Sequence, residues 1–199
     1  YFPEYRVFIE GVKGKVKVIS GAGALQIDFP PLNSSHLPHQ GVIINSPNNP
    51  SGVVYSRQTL ETLAAILRAK EALSAHPISL IPDEPYREIA FHGVDGPWVP
   101  QIYKDTIVCY SFSKSFPSLA SGGYVLVPKQ VTDADAFRGD GSAGRSQGYV
   151  NAPSLFQRVA AECCDLTADI GVYERNCALL TDGLVKWATM WSKRRGLLL

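Results

Sequence analysis

Residues 44–56 read Ile44-Asn45-Ser46-Pro47-Asn48-Asn49-Pro50-Ser51-Gly52-Val53-Val54-Tyr55-Ser56. Upstream, Gly41-Val42-Ile43-Ile44 is apolar and β-branched, as a strand buried on both faces should be. A plain turn needs one Asn, Pro or Gly signal, and this stretch carries several. Ser56 is placed to cap a helix in which Leu60, Leu63, Ala64 and Leu67 recur at helical spacing. The segment therefore reads as a strand, an abrupt polar turn and a helix.

The same grammar recurs downstream. Ile78-Ser79-Leu80-Ile81 is a strand ending at Asp83, and Thr106-Ile107-Val108-Cys109-Tyr110 is another ending at Ser111. Gly123 to Val127 is a further strand, stopped by Pro128, and Val16-Lys17-Val18-Ile19 is a short β-type run near the start. The stretch from Ala136 to Gly148 is rich in Gly and charge and reads as a loop. Phe156, Val159, Ala160 and Cys163 mark a second amphipathic helix, and a third is expected from about Val172 to Trp187. No internal repeat is present. Strands alternating with helices predict an α/β fold, a mostly parallel sheet flanked by helices. In such sheets ligands bind beyond the carboxyl ends of strands. The polar clusters Asn45–Gly52, Asp83–Tyr86 and Ser111–Ser115 all sit there, so three strand ends are expected to converge.

Composition narrows the class. The chain has 199 residues, 45% apolar and 19% charged, with a formal net charge of +1. That suffices for one domain with a sizeable core, and it gives no strong field to draw nucleic acid or an anionic membrane. Apolar runs are too short to span a bilayer, and no signal peptide opens the sequence. Cys109, Cys163, Cys164 and Cys177 lack metal-type spacing, and adjacent Cys163-Cys164 suits a buried helix face. A reducing cytoplasm is the default. The start at Tyr1 rather than Met suggests a fragment or a processed chain.

Three candidate groups carry chemistry: Lys114, Asp83 and the Asn49-Pro50-Ser51-Gly52 turn. Lys114, in Ser111-Phe112-Ser113-Lys114, follows a buried strand, where lost solvation would free its amine for imine formation. Asp83, in Asp83-Glu84-Pro85-Tyr86, would need a cationic partner if buried. Taken alone, each reads more readily as a surface lysine, a helix cap or simple turn chemistry. Their joint order on three strand ends changes the odds.

In that order, Asn49-Pro50-Ser51-Gly52, Asp83 to Tyr86 and Ser111 to Lys114 resemble the fold-type-I pyridoxal-phosphate enzymes, in particular the class I/II aminotransferases. The resemblance runs from Tyr1 to roughly Leu184. It implies that Lys114 holds pyridoxal 5'-phosphate as an imine and later shuttles the α-proton. It implies that Asp83 pairs with the pyridine nitrogen, keeping the ring an electron sink. By the same resemblance Asn49 and Tyr86 hydrogen-bond the ring's phenolic oxygen, Ser111 binds phosphate, and Phe2 stacks on the ring. A core aromatic is the competing reading of Phe2, and Asn151 to Gln157 is read as structural.

The implied function is an aminotransferase moving an amino group between an amino acid and a 2-oxo acid, working as a homodimer with no nucleic-acid or membrane partner. A truncated or impaired homologue that only binds the cofactor is the alternative, and a decarboxylase or lyase on the same scaffold is a third. The family follows its lysine with an arginine-bearing loop that grips phosphate. Here Lys114 to Tyr124 contains no arginine, and Arg138 or Arg145 would have to substitute. Residues 1–185 are expected to form the cofactor-binding large domain, lacking an N-terminal glycine-rich segment. Residues 186–199 form a tail unlike the family's, in place of its small C-terminal domain.

Overall fold

The computed structural model describes residues 2–19, 21, 26–33, 41–116, 122–132, 134 and 151–186. The loop expected from Ala136 to Gly148, both Arg138 and Arg145, and the tail from Trp187 onward lie outside these residues. Helix α1 (Glu4–Gly11) and the short α2 (Phe29–Asn33) precede strand β1 (Gly41–Asn45). Helix α3 (Arg57–Ser74), strand β2 (Ser79–Asp83), a 3-10 turn (Val99–Gln101), strand β3 (Val108–Ser111) and strand β4 (Gly123–Leu126) follow. Helices α4 (Ser154–Glu162) and α5 (Ile170–Lys186) close the described chain. Among the described residues no helix is long and apolar enough to cross a membrane.

The four strands lie in the order β1-β2-β3-β4. The first three are parallel, and β4 runs antiparallel to β3. This is the mostly parallel sheet that the alternation of strands and helices predicts. Helix α3 begins where expected: the Ser56 hydroxyl accepts the Thr59 N–H at 3.0 Å. Its Leu60, Leu63, Ala64 and Leu67 are buried against Ile44, Ile78, Leu80, Val99, Ile102 and Tyr103. Ser56→Ala removes the cap and is expected to cost about 1 kcal/mol, read as a lower urea midpoint with an unchanged slope.

Two strand expectations are corrected. β1 is not buried on both faces: Ile44 faces the α3 core, whereas Ile43 is 36% exposed. It is an edge strand of the described sheet, and only one of its faces meets α3. Val16 to Ile19 forms no strand; the nearest pairing is an isolated bridge between Gly21 and Ile27. The buried helix face expected around Cys163-Cys164 is likewise absent. α4 buries no residue, Cys163 is its C-cap and Cys164 is exposed.

β4 crosses close to β3 at Gly123. A Cβ there would lie 2.4 Å from the Tyr110 carbonyl oxygen, so only glycine fits without moving backbone. The approach lets Tyr124 stack on Tyr110 with ring centroids 5.0 Å apart.

Candidate active site

Strand parity decides what faces the site. Val42 pairs with Leu80 and Ile44 with Pro82; Val42, Leu80 and Ile44 pack in the α3 core, and Pro82 is fully buried. Their neighbours Asn45 and Asp83 pair on the other face, with Cys109 beside Asp83 in register. The chain that leaves each of the three parallel strands then carries one of the polar clusters.

The turn after β1 uses nearly all its polar residues on itself. Asn45 donates from Nδ2 to the Asp83 carbonyl at 2.8 Å and accepts the Asn49 N–H on Oδ1 at 2.9 Å. The Asn48 N–H reaches the Val53 carbonyl at 2.9 Å, and the Gly52 N–H reaches the Asn48 carbonyl at 2.7 Å. Ser51 donates its hydroxyl to Asn48 Oδ1 at 2.8 Å, and the Tyr55 N–H donates to the Ser46 hydroxyl at 2.9 Å. Gly52 takes φ +68°, a conformation that favours glycine. Both Ser46-Pro47 and Asn49-Pro50 are cis. So braced, the turn presents Asn49, whose Nδ2 donates to the Tyr86 hydroxyl at 3.0 Å.

Tyr86 is buried, and the Lys114 ammonium sits 5.8 Å from its ring centroid. Asn49, Tyr86 and Lys114, from three strand ends, thus meet at one aromatic ring. Lys114 itself is exposed, so the desolvation expected from its position after β3 is not found. Its turn is anchored from below instead. Ser115 is buried with its hydroxyl 3.0 Å from that of Tyr110, and Tyr110 donates to Glu88 at 2.6 Å. Ser111 shares a 2.7 Å hydrogen bond with the Ser113 hydroxyl and accepts the Ser113 N–H. Phe2 is 50% exposed and meets Tyr5 edge-on at 5.7 Å, which sets aside its reading as a core aromatic.

Asp83 receives a hydrogen bond from the Tyr5 hydroxyl. Burial raises its carboxyl above the ordinary range, and the Tyr5 hydrogen bond opposes that shift. Burial raises Glu84 too, against the pull of Arg87, whose guanidinium lies 3.0 Å away. Arg87 also donates to the Gly96 carbonyl and stacks 5.0 Å from the Trp98 ring centroid. Burial, reinforced by Asp83, pushes the Cys109 thiol up to about 11, so it stays neutral beside the carboxylate.

Reading the sequence alone misses Tyr5, Tyr110, Glu88 and the bracing role of Asn45. Asn45 lies within a strand-end cluster, and its pairing opposite Asp83 follows once the register is fixed. Tyr5 gives no such signal, because only tertiary packing brings it to a residue 78 positions away.

Comparisons with known proteins bear on the family and the fold. The family model described as aminotransferase class I and II matches residues 1–170. A solved amino transferase from Eubacterium rectale is 42% identical with a TM-score of 0.92, over 99% of this chain and 50% of its own. An aspartate aminotransferase of Bacillus sp. (strain YM-2) is 36% identical over 80 residues, 38% of this chain and 19% of its own. A probable aspartate/prephenate aminotransferase of Thermus aquaticus is 30% identical over 140 residues, 68% of this chain and 34% of its own. The chain spans half or less of the length of each.

Proposed function

Because the chain belongs to the aminotransferase class I and II family, we propose that it holds pyridoxal 5'-phosphate at the ends of β1, β2 and β3. The reaction is transfer of an amino group between an amino acid and a 2-oxo acid. The observation that carries this reading is the meeting of Asn49 and Lys114 at the Tyr86 ring, three residues beyond the half-buried Asp83.

The donor set fits that cofactor. It offers an amine for an aldehyde, a carboxylate for a protonated ring nitrogen, and an amide and a phenol for a ring oxygen. When bound, the group supplies an aldehyde carbon and an electron-withdrawing ring that makes the substrate's α-proton removable. Lys114 is the residue for covalent attachment and then for carrying that proton. The Asp83 carboxylate accepts the ring N–H. Asn49 already donates one amide proton to the Tyr86 oxygen, so the Tyr86 proton and the second amide proton are left for the ring oxygen. The Ser111 hydroxyl serves a phosphate oxygen, and Phe2 covers the ring. Residues 1–185 form the cofactor-binding unit in this reading. A cytoplasmic homodimer completes it, in keeping with four free cysteines and the exposed apolar side chains Val7, Phe8 and Val12 on and beside α1.

Adding pyridoxal phosphate, reducing with borohydride and mapping the modified peptide tests the site; an unmodified Lys114 would refute it. Adding an amino acid to the loaded chain separates transamination from binding alone: loss of the visible band supports transfer, and an unchanged band supports the binding-only homologue. Tyr86→Phe is expected to weaken cofactor affinity roughly 10-fold, the worth of one hydrogen bond to a charged oxygen. Absorbance titration measures this, and unchanged affinity would remove Tyr86 from the site.

A further inference from the structure

We propose that Tyr5 is a positioning residue for Asp83: its hydroxyl engages one carboxylate oxygen and leaves the other to face the ring nitrogen of the cofactor. The inference rests on the pyridoxal-phosphate reading of Asp83.

The backbone of Asp83 is already fixed. Its carbonyl accepts from Asn45, and its register with β3 places it beside Cys109. What remains to be set is the rotation of the carboxylate, and the Tyr5 hydroxyl sets it from a different element, α1. Among the described residues, the groups electrostatically linked to Asp83 include Tyr5 from α1, Cys109 from β3, and Glu84 on its own segment. Among the described residues, Tyr5 is the side chain that donates to the carboxylate. Burial, the hydrogen bond and the nearby charge all raise the Tyr5 phenol, so it keeps its proton and remains a donor. The neutral Cys109 leaves the negative charge on Asp83. The arrangement also has a geometric economy. The Tyr5 N–H bonds to the Phe2 carbonyl at 3.2 Å, so one helical turn carries both the residue that orients Asp83 and the ring proposed to cover the cofactor.

The test uses the 199-residue chain labelled with 13C at Asp carboxyls, the Asp83 resonance being assigned by its loss in Asp83→Asn. In Tyr5→Phe without cofactor, the Asp83 titration midpoint is expected to move up, because the hydrogen bond that favours the charged form is gone. Affinity for pyridoxal phosphate is expected to fall at least about 10-fold. In an Asp83→Asn background the same Tyr5 substitution is expected to cost much less, since the charge it orients toward the ring nitrogen is absent. An unmoved Asp83 midpoint, or an equal loss of affinity in the Asp83→Asn background, overturns the proposal while leaving the cofactor reading intact. A wild-type chain that fails to bind pyridoxal phosphate overturns the cofactor reading and the proposal with it.

Discussion

Lys114→Ala is expected to abolish covalent capture of pyridoxal phosphate and to lower transamination by roughly ten-thousand-fold, the upper range for removing a positioned proton-transfer group. The fold has little stake in this side chain. Lys114 is exposed and contributes a peripheral contact to the Tyr86 ring, whereas its turn is held by Ser115, Tyr110 and Glu88. The thermal midpoint is therefore expected to stay close to wild type, which isolates the chemical effect. Lys114→Arg sharpens the comparison. A guanidinium keeps the charge and can stay near Tyr86, but it does not release a free amine at neutral pH. If charge alone mattered, the arginine variant would retain function; the expected result is that it fails as alanine does. Borohydride reduction followed by peptide mapping reads capture directly. An adduct that persists on another lysine in Lys114→Ala would move the site elsewhere.

The legible parts of this protein are those that local chemistry writes down. The cap at Ser56, the apolar stripe from Leu60 to Leu67 and the strand ends at Asp83 and Ser111 are all decided within a few residues. The structure has them where the sequence puts them. The convergence of Asn49, Tyr86 and Lys114 was legible for a related reason: parallel strands send the chain out at the same edge of the sheet. What failed was burial. Val42-Ile43-Ile44 looks apolar throughout, but whether its second face is covered depends on which element packs there, and periodicity cannot report that. Lys114 failed likewise, since a position after a buried strand does not fix how far a long side chain reaches toward water. Helix α1 has no side-chain cap and buries no residue, so nothing local to it announced which strand end it would meet, and with it went the link from Tyr5 to Asp83. The antiparallel β4 is also tertiary in origin: it depends on the closeness that Gly123 permits.

Asp83→Asn is expected to lower transamination by about 100- to 1,000-fold and yet to stabilise the cofactor-free chain at neutral pH. The first effect follows from charge. An amide has nearly the shape of a carboxylate and still accepts from the Tyr5 hydroxyl, but it cannot balance a protonated ring nitrogen, and removing one such electrostatic partner costs this much. The second follows from burial. Asp83 holds its proton to higher pH in the folded chain than its ordinary value of 3.8. Between those two values the folded state binds more protons than the unfolded one, so stability falls as pH rises through that window, and the penalty persists above it. Asparagine carries no such penalty. Urea midpoints are therefore expected to favour the variant above the window and to coincide with wild type below it, where both side chains are neutral. Glu84, also raised by burial, is present in both proteins and cancels in the difference. A variant that lost stability while keeping its rate would make Asp83 a structural residue. The opposite pairing, slower chemistry in a sturdier fold, is what a carboxylate held charged in a half-buried site for the sake of a cationic ring must produce.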